Sequence, residues 1–125
     1  MAKILLHEPE KRMKDMYTEL IETAGFDIIV CDNSQECLKS VLKEKPSAIV
    51  TSAGKLESTW LIERVRGEKN PQISSIPILV VIDGNEKSSE YISIGATKTI
   101  SKFPGSGERL VSILKQIIHI PRMGF

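Results

Sequence analysis

The chain has 125 residues, 41 % of them apolar, with 17 basic and 16 acidic side chains and a net charge of +1. This is the size of one ordinary domain with enough apolar side chains for a core. Balanced charge gives no basic footprint for nucleic acid. No apolar run reaches the ~20 residues of a membrane helix and the N-terminus lacks a signal-peptide pattern, so a cytoplasmic protein is expected.

Lys3 to Leu6 is a short apolar run of the buried-strand kind. Glu10 to Ala24 carries Met13, Met16, Tyr17, Leu20 and Ile21 at helical spacing, and Gly25 sits where a helix ends. Asp27 to Cys31 reads as a second strand. Asn33, with Glu36 three residues on, resembles a capping box and opens a helix with Leu38, Val41 and Leu42 on one face, ended by Pro46. Cys31 and Cys37 are the only cysteines, one on this strand and one on this helix, and no disulfide is expected between them.

Ser47 to Thr51 reads as the third strand and Leu56 to Arg66 as a helix with Trp60, Leu61 and Val65 inward. Gly67 to Ile76 reads as a loop, and Pro77 to Ile82 as the fourth strand, the longest apolar run. Asn85 to Ile94 is a more polar helix closed by Gly95, and Thr97 to Ile100 is a short fifth strand. Gly107 to Ile118 forms the last helix, with Leu110, Ile113, Leu114 and Ile117 on its buried stripe. Strands and helices alternate through five units, which implies parallel strands joined by right-handed crossovers. Strands apolar at nearly every position suit a sheet covered on both faces. The expected architecture is therefore α/β: a doubly wound, five-stranded parallel sheet with helices on both faces, spanning residues 1–120. Residues 121–125 read as a tail, or as a stub of a longer protein.

Several segments resemble one family. They are Ala24-Gly25-Phe26 before the second strand, Asp32 to Leu38 after it, Glu44-Lys45-Pro46 before the third strand, Ile76 to Val81, and Gly95-Ala96 followed by Lys102. In order and spacing they resemble the receiver domain of response regulators over about residues 3–118. The resemblance implies strand order 2-1-3-4-5 and a site beyond the carboxyl ends of the strands. There the family holds Mg²⁺ on acidic residues and accepts a phosphoryl group on an aspartate, since hard cations take oxygen ligands and the metal and a lysine neutralise the transferred charge.

Carried over residue by residue, the acidic pair falls on Glu8 and Pro9, and the phosphoacceptor on Ser52, or on Thr51 if the strand shifts by one. The hydroxyl position after the fourth strand falls on Ile82, with Asp83 next, and the aromatic switch position falls on Thr99. The lysine is kept as Lys102, but Phe103 separates it from Pro104. Serine is no ionised acceptor at neutral pH without a neighbouring base. The resemblance therefore implies a pseudo-receiver in bacterial phosphorelay-type signalling, not an enzyme, acting through protein contacts and without a required cofactor. Glu8 alone is a weak Mg²⁺ ligand.

In the family, the face made by the fourth helix, fifth strand and fifth helix meets partners or a second copy. Here it includes Glu86, Lys87, Glu90, Tyr91, Lys98, Thr99, Lys102, Arg109 and Val111, with Tyr91, Lys98 and Arg109 as the expected contacts. The alternative is a phosphoacceptor with a rearranged site using Ser52, Asp83 or Glu8. A flavodoxin-like nucleotide or flavin binder is a third reading, disfavoured because Glu8-Pro9-Glu10 would repel phosphate. Plainer roles stand beside these. Lys102 is solvated or paired with Glu8, Thr51 and Ser52 cap a turn, and His7 is simply hydrogen-bonded. His119 suits a helix C-terminus, Met13 and Met16 are core, and Trp60 packs over the third strand unless it is partly exposed as an interface anchor.

Overall fold

The computed structural model describes residues 2–102 and 105–119. Phe103, Pro104 and the tail 121–125 lie outside the described residues. Strand β1 (Lys3–His7) leads into helix α1 (Lys11–Thr23), whose first amides, on Arg12 and Met13, donate to the Glu10 carboxylate. Gly25 follows at φ +95°, a conformation that ends the helix without a Cβ penalty. Strand β2 (Asp27–Cys31) runs to Asn33, whose side chain accepts from the Glu36 amide and starts α2 (Ser34–Glu44). Then come β3 (Ala48–Thr51), α3 (Lys55–Arg66), α4 (Pro71–Ser74), β4 (Ile78–Ile82), α5 (Ser88–Ser93), β5 (Lys98–Ser101) and α6 (Ser106–Ile118).

All pairings are parallel, in the order β2-β1-β3-β4-β5. Alternate strand residues feed two cores. On one face Leu5, Ile49, Ile78 and Val80 meet Val41, Leu61, Ile62, Val65 and Tyr91. On the other Ile4, Leu6, Val50, Leu79 and Ile100 meet Tyr17, Ile21, Leu110, Leu114 and Ile117. Strands β3 and β4 are buried at every position, which is why they carry no polar alternation.

Several details differ from expectation. The segment 67–76 is not all loop. Asn70 caps Gln72 and Pro71 stands at the first helical position, so one helical turn forms. Helix α5 is shorter than 85–94, because Asp83 to Glu86 close a turn instead: the Asp83 amide donates to Glu86 Oε2 and the Glu86 amide to the Asp83 carbonyl. Met16 is exposed rather than core, while Met13 is half-buried. Trp60 is only half-buried, with the Arg64 guanidinium over its ring at 5.0 Å.

Cys31 and Cys37 are bonded to each other, against expectation. Cys31 ends β2 and Cys37 lies one turn into α2, and the tight Asn33 cap folds that turn back to a Cα–Cα separation of 5.5 Å, inside the range a disulfide spans.

Candidate functional site

The sheet reverses its winding between β1 and β3, so the ends of these two strands open at the switch point. His7, the last residue of β1, is fully buried and lies between Cys31 of β2 and Thr51 of β3 in register. Its Nδ1 is 3.0 Å from Thr51 Oγ1, which is 2.8 Å from Ser58 Oγ on α3. This is a buried polar chain tying strand to helix. His7 Nε2 is buried without a hydrogen-bond partner. Burial lowers the His7 pKa, and the Glu57 and Asp32 carboxylates offset part of that.

The next residue along each strand points the other way. Glu8 is 1 % exposed and Ser52 8 % exposed. The Ser52 hydroxyl donates to Glu8 Oε1 at 2.6 Å, and the Glu10 amide lies 3.3 Å from Oε2. A hydrogen bond to an ionised acceptor is among the stronger kinds. The Ser52 amide in turn donates to the His7 carbonyl, holding the two strand ends together beyond the last ladder bond.

Pro9 is exposed beside this pair. Ile82 ends β4 as a buried apolar residue with no hydroxyl to offer, and Asp83 beyond it is exposed. Thr99 on β5 hydrogen-bonds the Ser88 hydroxyl at the start of α5. Lys102 is half-buried, and no ion pair joins it to Glu8. It shares a shallow depression with Glu10, Arg12, Met13, Met16, Gly105 and Gly107. No group of three His, Cys, Asp or Glu side chains able to hold a metal ion exists among the described residues. No described helix is long and apolar enough to cross a membrane.

This arrangement of strands and helices has known counterparts. The receiver domain of the sensor histidine kinase PA1611 from Pseudomonas aeruginosa, determined with a magnesium ion in its active-site cleft, superimposes with a TM-score of 0.83 at 17 % identity, over 95 % of this chain and 98 % of that one. The chemotaxis response regulator CheY4 of Vibrio cholerae superimposes with a TM-score of 0.80 at 20 % identity, over 94 % and 98 %. This chain has the receiver-domain fold. In sequence it is 27 % identical over 118 residues to the phosphate regulon transcriptional regulatory protein PhoB of Pseudomonas aeruginosa, covering 92 % of this chain and 51 % of that protein. The chain thus spans about half the length of this relative. No protein-family model matches it.

Within the receiver-like frame, the structure brings Glu8 and Ser52 together and sets Thr51 on the opposite sheet face, against His7. One expected surface contact is corrected. Tyr91 is 2 % exposed and packs into the core under α5, because its ring fills the space between the sheet and that helix. Its hydroxyl donates to Glu86 Oε1 at 2.7 Å, and burial together with that carboxylate raises the phenol pKa. Lys98 and Arg109 do lie at the surface, Arg109 donating to the Ser101 carbonyl at 3.1 Å.

Sequence reasoning missed Ser58, Ser34 and Arg66. Ser34 Oγ reaches Glu57 Oε2 at 2.6 Å and the Glu57 carbonyl at 3.0 Å, joining α2 to α3. The Arg66 guanidinium donates to the carbonyls of Gly95, Ser74 and Ile76 at 2.7–2.8 Å, fastening the end of α3 to the entries of β4 and β5. No periodicity marks these residues, because each acts across the chain rather than along an element.

Proposed function

We propose that this chain is a receiver-like module of bacterial two-component signalling that works through protein contact and does not accept a phosphoryl group on aspartate. The observation that carries the reading is the Glu8–Ser52 pair. The position where the resemblance expects the acceptor carboxylate holds a neutral hydroxyl, and that hydroxyl is spent on the one acidic side chain retained from the metal site. The donor set fits Mg²⁺ poorly. A hard divalent cation takes six oxygen ligands, preferably with carboxylates, and here one buried carboxylate already accepts two hydrogen bonds. Ile82 and Thr99 leave no hydroxyl–aromatic pair to relay occupancy of the site.

The partner is a protein, or another domain of the same signalling protein. The surface offered is the face of α5, β5 and α6, with exposed Lys98 and Arg109 as contacts and Tyr91 as its internal support. A second copy of the chain is an alternative occupant of that face.

The test is a Mg²⁺ titration followed by Trp60 fluorescence, repeated with beryllofluoride as a phosphoryl mimic. Trp60 sits on α3, the helix whose Ser58 hydroxyl meets Thr51 at the end of β3. An unchanged signal from a folded sample supports the proposal. A saturable change with beryllofluoride refutes it.

One observation favours a second reading. A serine hydroxyl on a carboxylate at 2.6 Å is the contact that activates a nucleophile. In that reading Ser52 accepts phosphoryl with Glu8 as base. Against it, the hydroxyl is nearly sealed from solvent, and a phosphoryl group there would face the same carboxylate.

A further inference from the structure

We propose that Cys31 and Cys37 form a reversible thiol–disulfide switch that fastens the first turn of α2 to the end of β2 and so sets the junction of α2 with α3. Both residues lie in one core cluster, packed with Leu5, Val41 and Leu61. A buried cysteine behaves as a small apolar side chain, so the reduced pair also packs and the fold does not depend on the bond. The cross-link spans only six positions, so it removes little chain entropy compared with a long loop. Its effect is local.

That local effect has a direction. The bridged segment contains Asp32, Asn33 and Ser34. Asp32 pairs with Lys14 of α1 at 2.6 Å, Asn33 caps α2, and Ser34 holds Glu57 of α3. Ser34, Glu57, Leu56 and Trp60 line one open groove between α2 and α3, in which Leu56 is 86 % exposed. Breaking the bond frees the helix start that forms one wall of this groove.

The chemistry balances with a small disulfide such as oxidised glutathione. One cysteine thiolate attacks a glutathione sulfur, the glutathione S–S bond breaks, and a glutathione thiolate leaves. The second cysteine thiolate attacks the resulting mixed disulfide, the Cys31–Cys37 bond forms, and a second glutathione leaves. The two thiol protons pass to the two departing thiolates. The cysteines lose two electrons and glutathione gains them. This inference does not rest on the loss of phosphotransfer.

The test poises the intact chain in glutathione redox buffers, quenches exchange with acid, alkylates free thiols with N-ethylmaleimide in denaturant, and reads intact mass. The expected result is two interconverting folded species, one with two alkyl groups and one with none. Amide exchange of residues 33–38 should be at least several-fold faster in the reduced form, and no such change should occur in a Cys31→Ser/Cys37→Ser variant. Thiols that stay alkylated in every buffer overturn the proposal, as does a bond reduced only on unfolding, or exchange at 33–38 that ignores redox state.

Discussion

Replacing Ser52 with aspartate restores the charge that the receiver resemblance expects at this position, and the structure gives its cost. Ser52 Oγ lies 2.6 Å from Glu8 Oε1, and Glu8 is sealed from water. A carboxylate in place of the hydroxyl removes a charge-assisted hydrogen bond, about 1.5–3 kcal/mol. It also sets two negative groups ~4 Å apart, where an effective dielectric of ~20 gives a repulsion of about 4 kcal/mol. Ser52→Asn has nearly the same shape without the charge, so the difference between the two variants isolates the repulsion. Urea denaturation at pH 7.5 in EDTA should place Ser52→Asp about 2–4 kcal/mol below Ser52→Asn, a large part of the 5–15 kcal/mol typical of a domain. Raising Mg²⁺ should then stabilise Ser52→Asp by mass action and leave the wild type unmoved. Equal stability of the two variants in EDTA, or a wild type that itself gains stability with Mg²⁺, refutes the reasoning about this pair.

Other consequences follow from single groups. Burial lowers the His7 pKa in the fold, so the unfolded chain binds the additional proton as pH falls through its ordinary value of ~6.5. Stability measured by urea between pH 7.5 and 5.5 should therefore decline on acidification, by at most about 1.4 kcal/mol per pH unit from this residue, and His7→Asn should flatten the slope. Arg66→Lys keeps the charge but cannot span three carbonyls, so it should lower stability by about 2–4 kcal/mol in the same assay. Gly95 stands at φ +122°, and a Cβ there would lie 2.7 Å from Arg66 Cγ. Gly95→Ala should cost about 1–3 kcal/mol by thermal or urea unfolding.

Much of the fold was legible because its strands and helices obey local rules. The apolar runs of β3 and β4, the Asn33 cap and the glycines after α1 and α5 each act within a few residues, and each placed an element to within one to three residues. The loop before β4 was misread because Asn70-Pro71, a cap and first-turn pair, was counted only as turn chemistry. Tyr91 was misplaced for a different reason. On a six-residue helix no periodicity tells the inner face from the outer one, so the face followed from resemblance alone. No disulfide is expected from one cysteine on a strand and one on the next helix, and the cap that brings the two together is a three-dimensional fact. At the site, the sequence showed which chemistry was missing. It did not show that Ser52 and Glu8 satisfy each other, or that His7, Thr51 and Ser58 form a buried chain, since those contacts join residues 7 to 44 positions apart in the chain.

The central claim is that this receiver-like fold no longer takes phosphoryl onto its strand ends. Incubation with acetyl phosphate and Mg²⁺, read by intact mass beside a Ser52→Ala control, tests it most directly. The account predicts an unchanged mass for both proteins. A stable gain of one phosphoryl group by the wild type, absent from Ser52→Ala, would contradict it and make Ser52 the acceptor.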